Sequence, residues 1–276
     1  MSLTPPPAAT GNPHRHDDFT VRRVNAGRSL GWLAEGWRLF AAAPVQWLLM
    51  ALLAFLLLFL AALLAPIPLL GPMVGPVVLV FVVAGMLESA ARVQRGEAPK
   101  ARDLFAGFDR HPAHLLLLGL FFSIPLVLVS LLTFLAIGGG LLVGLLGAAL
   151  GGALHGLLSG LTAFAAFLFG TWTVFLIVWA IMLLALLFAP ALVMFDSASP
   201  LNAMRASLKA SLANLGATLL FGLLLALLFT IALMPAGLGV LVLLPVAVGA
   251  LHTAWRDVLA TDQAAGPAAL PPPAQD

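Results

Sequence analysis

The chain has 276 residues, 62% of them hydrophobic and 9% charged, with thirteen basic against eleven acidic side chains for a net charge of +2. Soluble domains carry about 25% charged residues, so a water-soluble globular fold is excluded. The absence of cysteine excludes disulfides, thiolate metal sites, thiol nucleophiles and palmitoylation, and basic residues spread over four segments instead of one patch speak against nucleic acid as a partner.

Met1–Asn25 contains TPPPAATGNP and HRHDD, has little to bury, and is expected to be a disordered tail. His14, His16, Asp17 and Asp18 are too few, in too loose a segment, to make a metal site. Arg28–Ala43 then reads as an amphipathic helix in the headgroup plane, with Leu30, Leu33, Trp37 and Phe40 on one face and Arg28, Glu35 and Arg38 on another. Val45–Ala65 is apolar all round and long enough to cross a bilayer; it begins too far from the N-terminus for a secretory signal. Pro66–Pro72 is a breaker-rich turn, and Met73–Ala90 is the return span. Glu88, near its end, is the best candidate for a polar site within a span, and Arg92, one turn on, is its expected partner.

Lys100–Arg110 is a second amphipathic segment, with Leu104, Phe105 and Phe108 on its apolar face and Asp103 and Asp109 expected in solvent. His111 and His114 flank Pro112 beside Arg110. Leu115–Ile137 and Thr162–Ala189 read as spans. Between them, Gly138–Gly160 holds nine glycines. Those at 140, 144, 147 and 151, then 152, 156 and 160, fall at helical spacing, and small residues so spaced let helix backbones approach closely. The first reading is a re-entrant or interfacial helix packed on the bundle; a loose apolar connector and a further crossing are the alternatives. His155 within it has no second metal ligand nearby. Span hydroxyls such as Ser123, Ser130, Thr173 and Thr230 are expected to bond to backbone, and Pro125 and Pro245 to kink their helices.

Ser199 and Pro200 are a natural N-cap and first position for a third amphipathic helix, Pro200–Asn214, with a stripe of Leu201, Met204, Leu208, Leu212 and Leu215. Leu215–Leu233, the turn Met234–Gly237 and Leu238–Trp255 form the last pair of spans, with His252 and Trp255 expected at the interface. Residues 261–276 are a second disordered tail.

The fold class is therefore an all-α integral membrane protein: six transmembrane helices in three hairpins, each preceded by a cytoplasmic interfacial helix, within a single domain over 26–260. The joins correspond: Phe40–Pro44, Phe108–Pro112, and Ala210–Asn214 with Asn in the proline position. Every Lys and Arg falls outside the spans, and the excess of such residues marks the cytoplasmic side, so both termini are expected there. The preference for Arg over Lys, with abundant Ala, Gly and Pro, fits GC-rich bacterial coding and hence a bacterial inner membrane.

The stretches GRSLGWLAEGWRLFAAAPVQWLL, PIPLLGP and RGEAPKARDLFAGF, with the later FAPALVMFDSASPLNAMRASLKASLANL and HTAWRDV, resemble an uncharacterised family of proteobacterial integral membrane proteins. Its members open with G-W-x-x-x-G-W-x-L-F-x-x-x-P. The likeness runs over most of residues 21–260. More distantly, the chain is similar to the membrane domains joined to some bacterial glycerophosphodiester phosphodiesterases, without their catalytic domain. Trp255 stands where family members commonly have Tyr. The resemblance implies a fold and carries no activity.

No P-loop, G-x-S-x-G, H-E-x-x-H or carboxylate pair lies within the spans, so no catalytic residue, cofactor or metal is expected. Membrane lipids are the expected partners. Anionic headgroups of the cytoplasmic leaflet would be met by Arg28, Trp37, Arg38, Arg92, Arg95, Lys100, Arg102, Arg110, Arg205, Lys209 and Arg256. A second copy or another membrane protein is a further candidate partner. The leading function is non-enzymatic lipid or partner binding. A transporter or channel for a lipid or small hydrophobic solute is the alternative, drawn from the repeated hairpins, kinked spans and glycine stripe.

Overall fold

The computed structural model describes residues 19–67 and 70–259. In order come α1 Arg28–Ala42, α2 Pro44–Ala62, α3 Leu70–Gln94, a 3-10 turn Ala101–Phe105, α4 Ala106–Arg110, α5 Pro112–Gly151, α6 Ala153–Leu186, α7 Ala189–Asp196, α8 Pro200–Ala213, α9 Leu215–Leu233 and α10 Val240–Leu259. Among the described residues there is no strand, and six helical segments are long and apolar enough to cross a membrane: α2, α3, α5, α6 with α7, α9 and α10. The chain is thus an all-α polytopic membrane protein. Pro44 and Pro112 open α2 and α5 at the first helical position, where proline loses no hydrogen bond. The residues at the three corresponding joins share one backbone form: Ala43 has φ/ψ of −153°/60°, His111 −138°/55° and Asn214 −120°/35°. The carbonyl of each accepts from the N–H four residues on, at Trp47, Leu115 and Thr218.

The glycine-rich segment departs most from expectation. Helix α5 does not stop at Ile137 but runs 40 residues to Gly151. Gly152, at φ 85°, makes the turn, and α6 leads straight back from Ala153. Residues 138–160 are therefore neither a separate re-entrant helix nor a connector nor a third crossing; they are the end of α5, the turn and the start of α6. Glycine does not break a helix where no water competes for its backbone. It allows contact instead: a Cβ on Gly156 would lie 2.5 Å from the Gly144 carbonyl oxygen, and one on Gly160 2.9 Å from that of Gly140.

The first third of α5 packs along α3. Gly119 sits against Val77, where a Cβ would come within 2.6 Å of the Val77 Cα. Ser123 Oγ donates to the Gly119 carbonyl at 2.8 Å and lies 3.2 Å from that of Met73. Ser130, Thr173 and Thr230 likewise donate to the carbonyl four residues back, as expected. Pro125 and Pro245 lie inside α5 and α10.

Two amphipathic helices turn part of the expected apolar stripe outward; in α1 Phe40 is buried and Leu33 packs on the core as that stripe requires. In α1 the buried residues are Ser29, Trp32, Gly36, Leu39 and Phe40, while Leu30 and Trp37 are more than half exposed. Gly36 meets α10 at Val246 and Ala250, where a Cβ would stand 2.2 Å from the Val246 carbonyl oxygen. In α8 the buried face is Pro200, Ala203, Ala206, Ser207, Ala210 and Ser211, with Leu201 and Leu212 outward. Ser199 occupies the N-cap position, but its hydroxyl makes no capping bond. Ser207 carries the joint between α6 and α7: its hydroxyl donates to the Leu184 carbonyl at 2.9 Å and accepts from the Phe188 N–H at 3.0 Å.

The first described residues fall within the stretch expected to be a tail. Arg22 N–H donates to the Val258 carbonyl at 2.9 Å. Asn214 Oδ1 accepts from Val24 N–H at 2.8 Å, and its Nδ2 donates to the Arg22 carbonyl at 3.0 Å. The rest of that tail, with His14 to Asp18, and residues 261–276 lie outside the described residues.

Candidate functional site

Most of the charged side chains gather at one end of the bundle, where the last turns of α3, the 3-10 turn, α4 and the ends of α7 and α10 meet. Gly96, at φ 81°, turns the chain back after α3, a conformation that favours glycine. Gly85 lets the 3-10 turn lie on α3, since a Cβ there would be 2.2 Å from the Leu104 carbonyl oxygen. Asp103 is thereby buried rather than solvated, at 6% exposure. Its Oδ1 accepts from Arg92 Nη1 at 2.9 Å and its Oδ2 from the Lys100 N–H at 2.8 Å. Arg92 also pairs with Glu97 at 3.0 Å, and Arg95 with Glu97 at 3.2 Å. The hydrogen bonds from Arg95 and then Arg92 hold the Glu97 carboxyl below its ordinary pKa.

Glu88 does not pair with Arg92. Its Oε2 lies 3.0 Å from Arg110 Nη1, a charge contact without the alignment of a hydrogen bond, and its Oε1 is 3.7 Å from Arg95 Nη2. Arg92 is drawn instead to Asp103, which the 3-10 turn brings against it. Arg28 donates to Asp257 Oδ2 at 2.6 Å and Trp32 Nε1 to the same oxygen at 2.8 Å. Arg256 bonds Gln94, and Arg38 pairs with Glu35. Six of the expected headgroup residues thus hold protein partners. Lys100, Arg205, Lys209 and Trp37 are exposed, and Arg102 has an 88% exposed side chain with Asp109 no closer than 4.0 Å.

His252 and Trp255 lie inside the bundle. They are 2% and 8% exposed and pack on Phe195, at ring distances of 5.5 and 5.0 Å. His111 lies 3.4 Å from Ser197 and stacks on His114 at 5.8 Å. Burial, then the charges of His114 and Arg110, lower its pKa from the ordinary 6.5. His155 is exposed at the hairpin tip. Among the described residues no three His, Asp or Glu are placed to hold a metal ion.

Beside this charged end lies an apolar cavity of about 560 Å³. Leu57 of α2, Val78 and Phe81 of α3 and Leu116 of α5 form its walls, and Phe105 and Phe108 its roof. Phe108 stacks on Phe81 at 4.1 Å. Its volume falls in the range of small-ligand sites, and its apolar lining suits hydrocarbon. Arg102 and Arg110 flank the roof in sequence. Reading the residues in order missed the cavity, because its walls come from three helices; only the Phe105–Phe108 pair hinted at it.

No family model, curated protein or solved structure matches the chain, and the site is read from its own geometry.

Proposed function

We propose that this chain is a non-enzymatic, multi-pass protein of the bacterial inner membrane that binds an anionic lipid of the cytoplasmic leaflet. An acyl chain occupies the cavity under Phe105 and Phe108, and the headgroup meets Lys100 and Arg102. Both termini are cytoplasmic in this reading, and the charged end of the bundle faces the cytosol. The observation that carries it is an apolar cavity of about 560 Å³ placed beside cations that keep their side chains in solvent. Each cation near an anionic leaflet contributes about 1 kcal/mol.

Native mass spectrometry of gently extracted protein tests the reading. The wild type should retain anionic lipid. Val78→Trp, which fills the cavity, should lose it. Lys100→Ala with Arg102→Ala should weaken retention by about 2 kcal/mol, roughly thirty-fold. Unchanged lipid retention in both variants would show that the cavity is not the site.

A further inference from the structure

The hairpin of α5 and α6 is longer than the bilayer that its neighbours fit. Helix α5 rises about 60 Å, whereas a hydrocarbon core is about 30 Å thick and α2 and α9 have 19 residues each. The excess lies at the end away from the charges. Ser123, about a third of the way along α5, already reaches Met73 near the start of α3, and α5 continues for roughly 40 Å beyond it.

That extension carries no charged residue between Arg110 and Asp196. Every leucine from Leu141 to Leu161 is exposed, including Leu150 at 89% and Leu154 at 71%. Holding so many leucines in water would cost as much as the net stability of a whole domain, so the extension does not stand in water. It continues the lipid-facing surface of the same two helices without a break. Its seam also holds a second cavity of about 410 Å³, floored by Gly140, Gly144, Gly156 and Gly160 and walled by Leu145 and Leu157. Pro125 sits just past Ser123 inside α5, where a missing hydrogen bond lets a helix bend. His155, the one titratable side chain between His114 and Asp196, is exposed at the tip.

We infer that the hairpin beyond Pro125 is an arm lying in the leaflet opposite the charged end, with the acyl chains of that leaflet as its partner and one of them in the seam cavity. His155 reaches the headgroups from the tip. The inference rests on the charged ends marking one leaflet, and it is independent of the lipid site under Phe108.

The chain has no cysteine, so single cysteines report position directly. Leu146→Cys, Leu158→Cys and, as a reference on the far turn, Ala236→Cys are placed in vesicles of phosphatidylethanolamine and phosphatidylglycerol. A water-soluble maleimide added from the side of residue 236 should label Ala236→Cys at least ten-fold faster than the other two. A fluorophore on Leu158→Cys should be quenched by lipids brominated on the acyl chain. Labelling of both arm positions as fast as the reference would overturn the inference, as would protection that disappears at one chain per vesicle, which would make a second copy the cover. Both arm positions are exposed, so their substitution leaves the helix seam intact.

Discussion

Glu88 and its neighbours show how little a sequence interval says about a charge. The i+4 spacing to Arg92 is real, yet Arg110 takes the carboxylate at 3.0 Å and Arg95 approaches to 3.7 Å, because the 3-10 turn brings Asp103 to Arg92 first. The Glu88 side chain is 8% exposed, and removing one partner of a buried pair leaves an uncompensated charge. Arg110→Ala should therefore destabilise the bundle by about 2 kcal/mol, discounted from a fully buried pair because Arg110 is half in solvent. Glu88→Gln added to that variant should recover most of the loss, as read by thermal unfolding in detergent. His111 gives a pH signature. Its folded pKa is depressed, so its contribution is complete above the ordinary 6.5 and is lost as pH falls toward the lower folded value. A melting series from pH 8 to pH 5 should fall on the acid side, and His111→Gln should flatten that part of the curve.

At the scale of the helix, α1 and α8 explain which parts of the fold were legible. Their existence and the proline start of α8 could be read from residue order, and α9 ends where the apolar run does. Their orientation could not. In water the leucine stripe would turn inward; in lipid, tails are as apolar as leucine, and small residues that let backbones touch decide the inner face. Gly36 and the Ala203–Ser207–Ala210 face are therefore buried while Leu30, Leu201 and Leu212 point out. The glycine segment was obscure for the same reason, since Gly144 and Gly156 bind a neighbour rather than interrupt a helix. Gly36→Val should cost about 2–3 kcal/mol by overpacking against α10, whereas Leu212→Ala should change stability by less than about 0.5 kcal/mol. Ser207→Ala should cost about 1–2 kcal/mol, because Phe188 N–H loses its partner at the α6–α7 joint and the Leu184 carbonyl is left with Ser211 alone. Chemical or thermal denaturation of the three variants in one detergent would rank them.

For the whole molecule, six candidate spans and a single charged end make the simplest threading an even one. Reporter fusions at residue 236 should read the far side and fusions at residues 100 and 205 the cytosol; a reversed pattern would place the proposed headgroup site in the wrong leaflet. The lipid cavity was not readable from order alone, because α2, α3 and α5 each supply one wall. The charge-free runs that define the spans were, because hydration of a charge outweighs any local packing preference.

The contacts of α1 also fix an order of events during synthesis. Arg28 and Trp32 close on Asp257, Gly36 needs the groove at Val246 and Ala250, and Arg22 bonds the backbone of Val258. All of these partners emerge from the ribosome long after α1 does. Helix α1 must wait, undocked, until α10 is threaded, so a nascent chain halted after residue 233 would present an unlatched α1 to proteases. The folded protein carries a closure that only a chain translated through α10 can make.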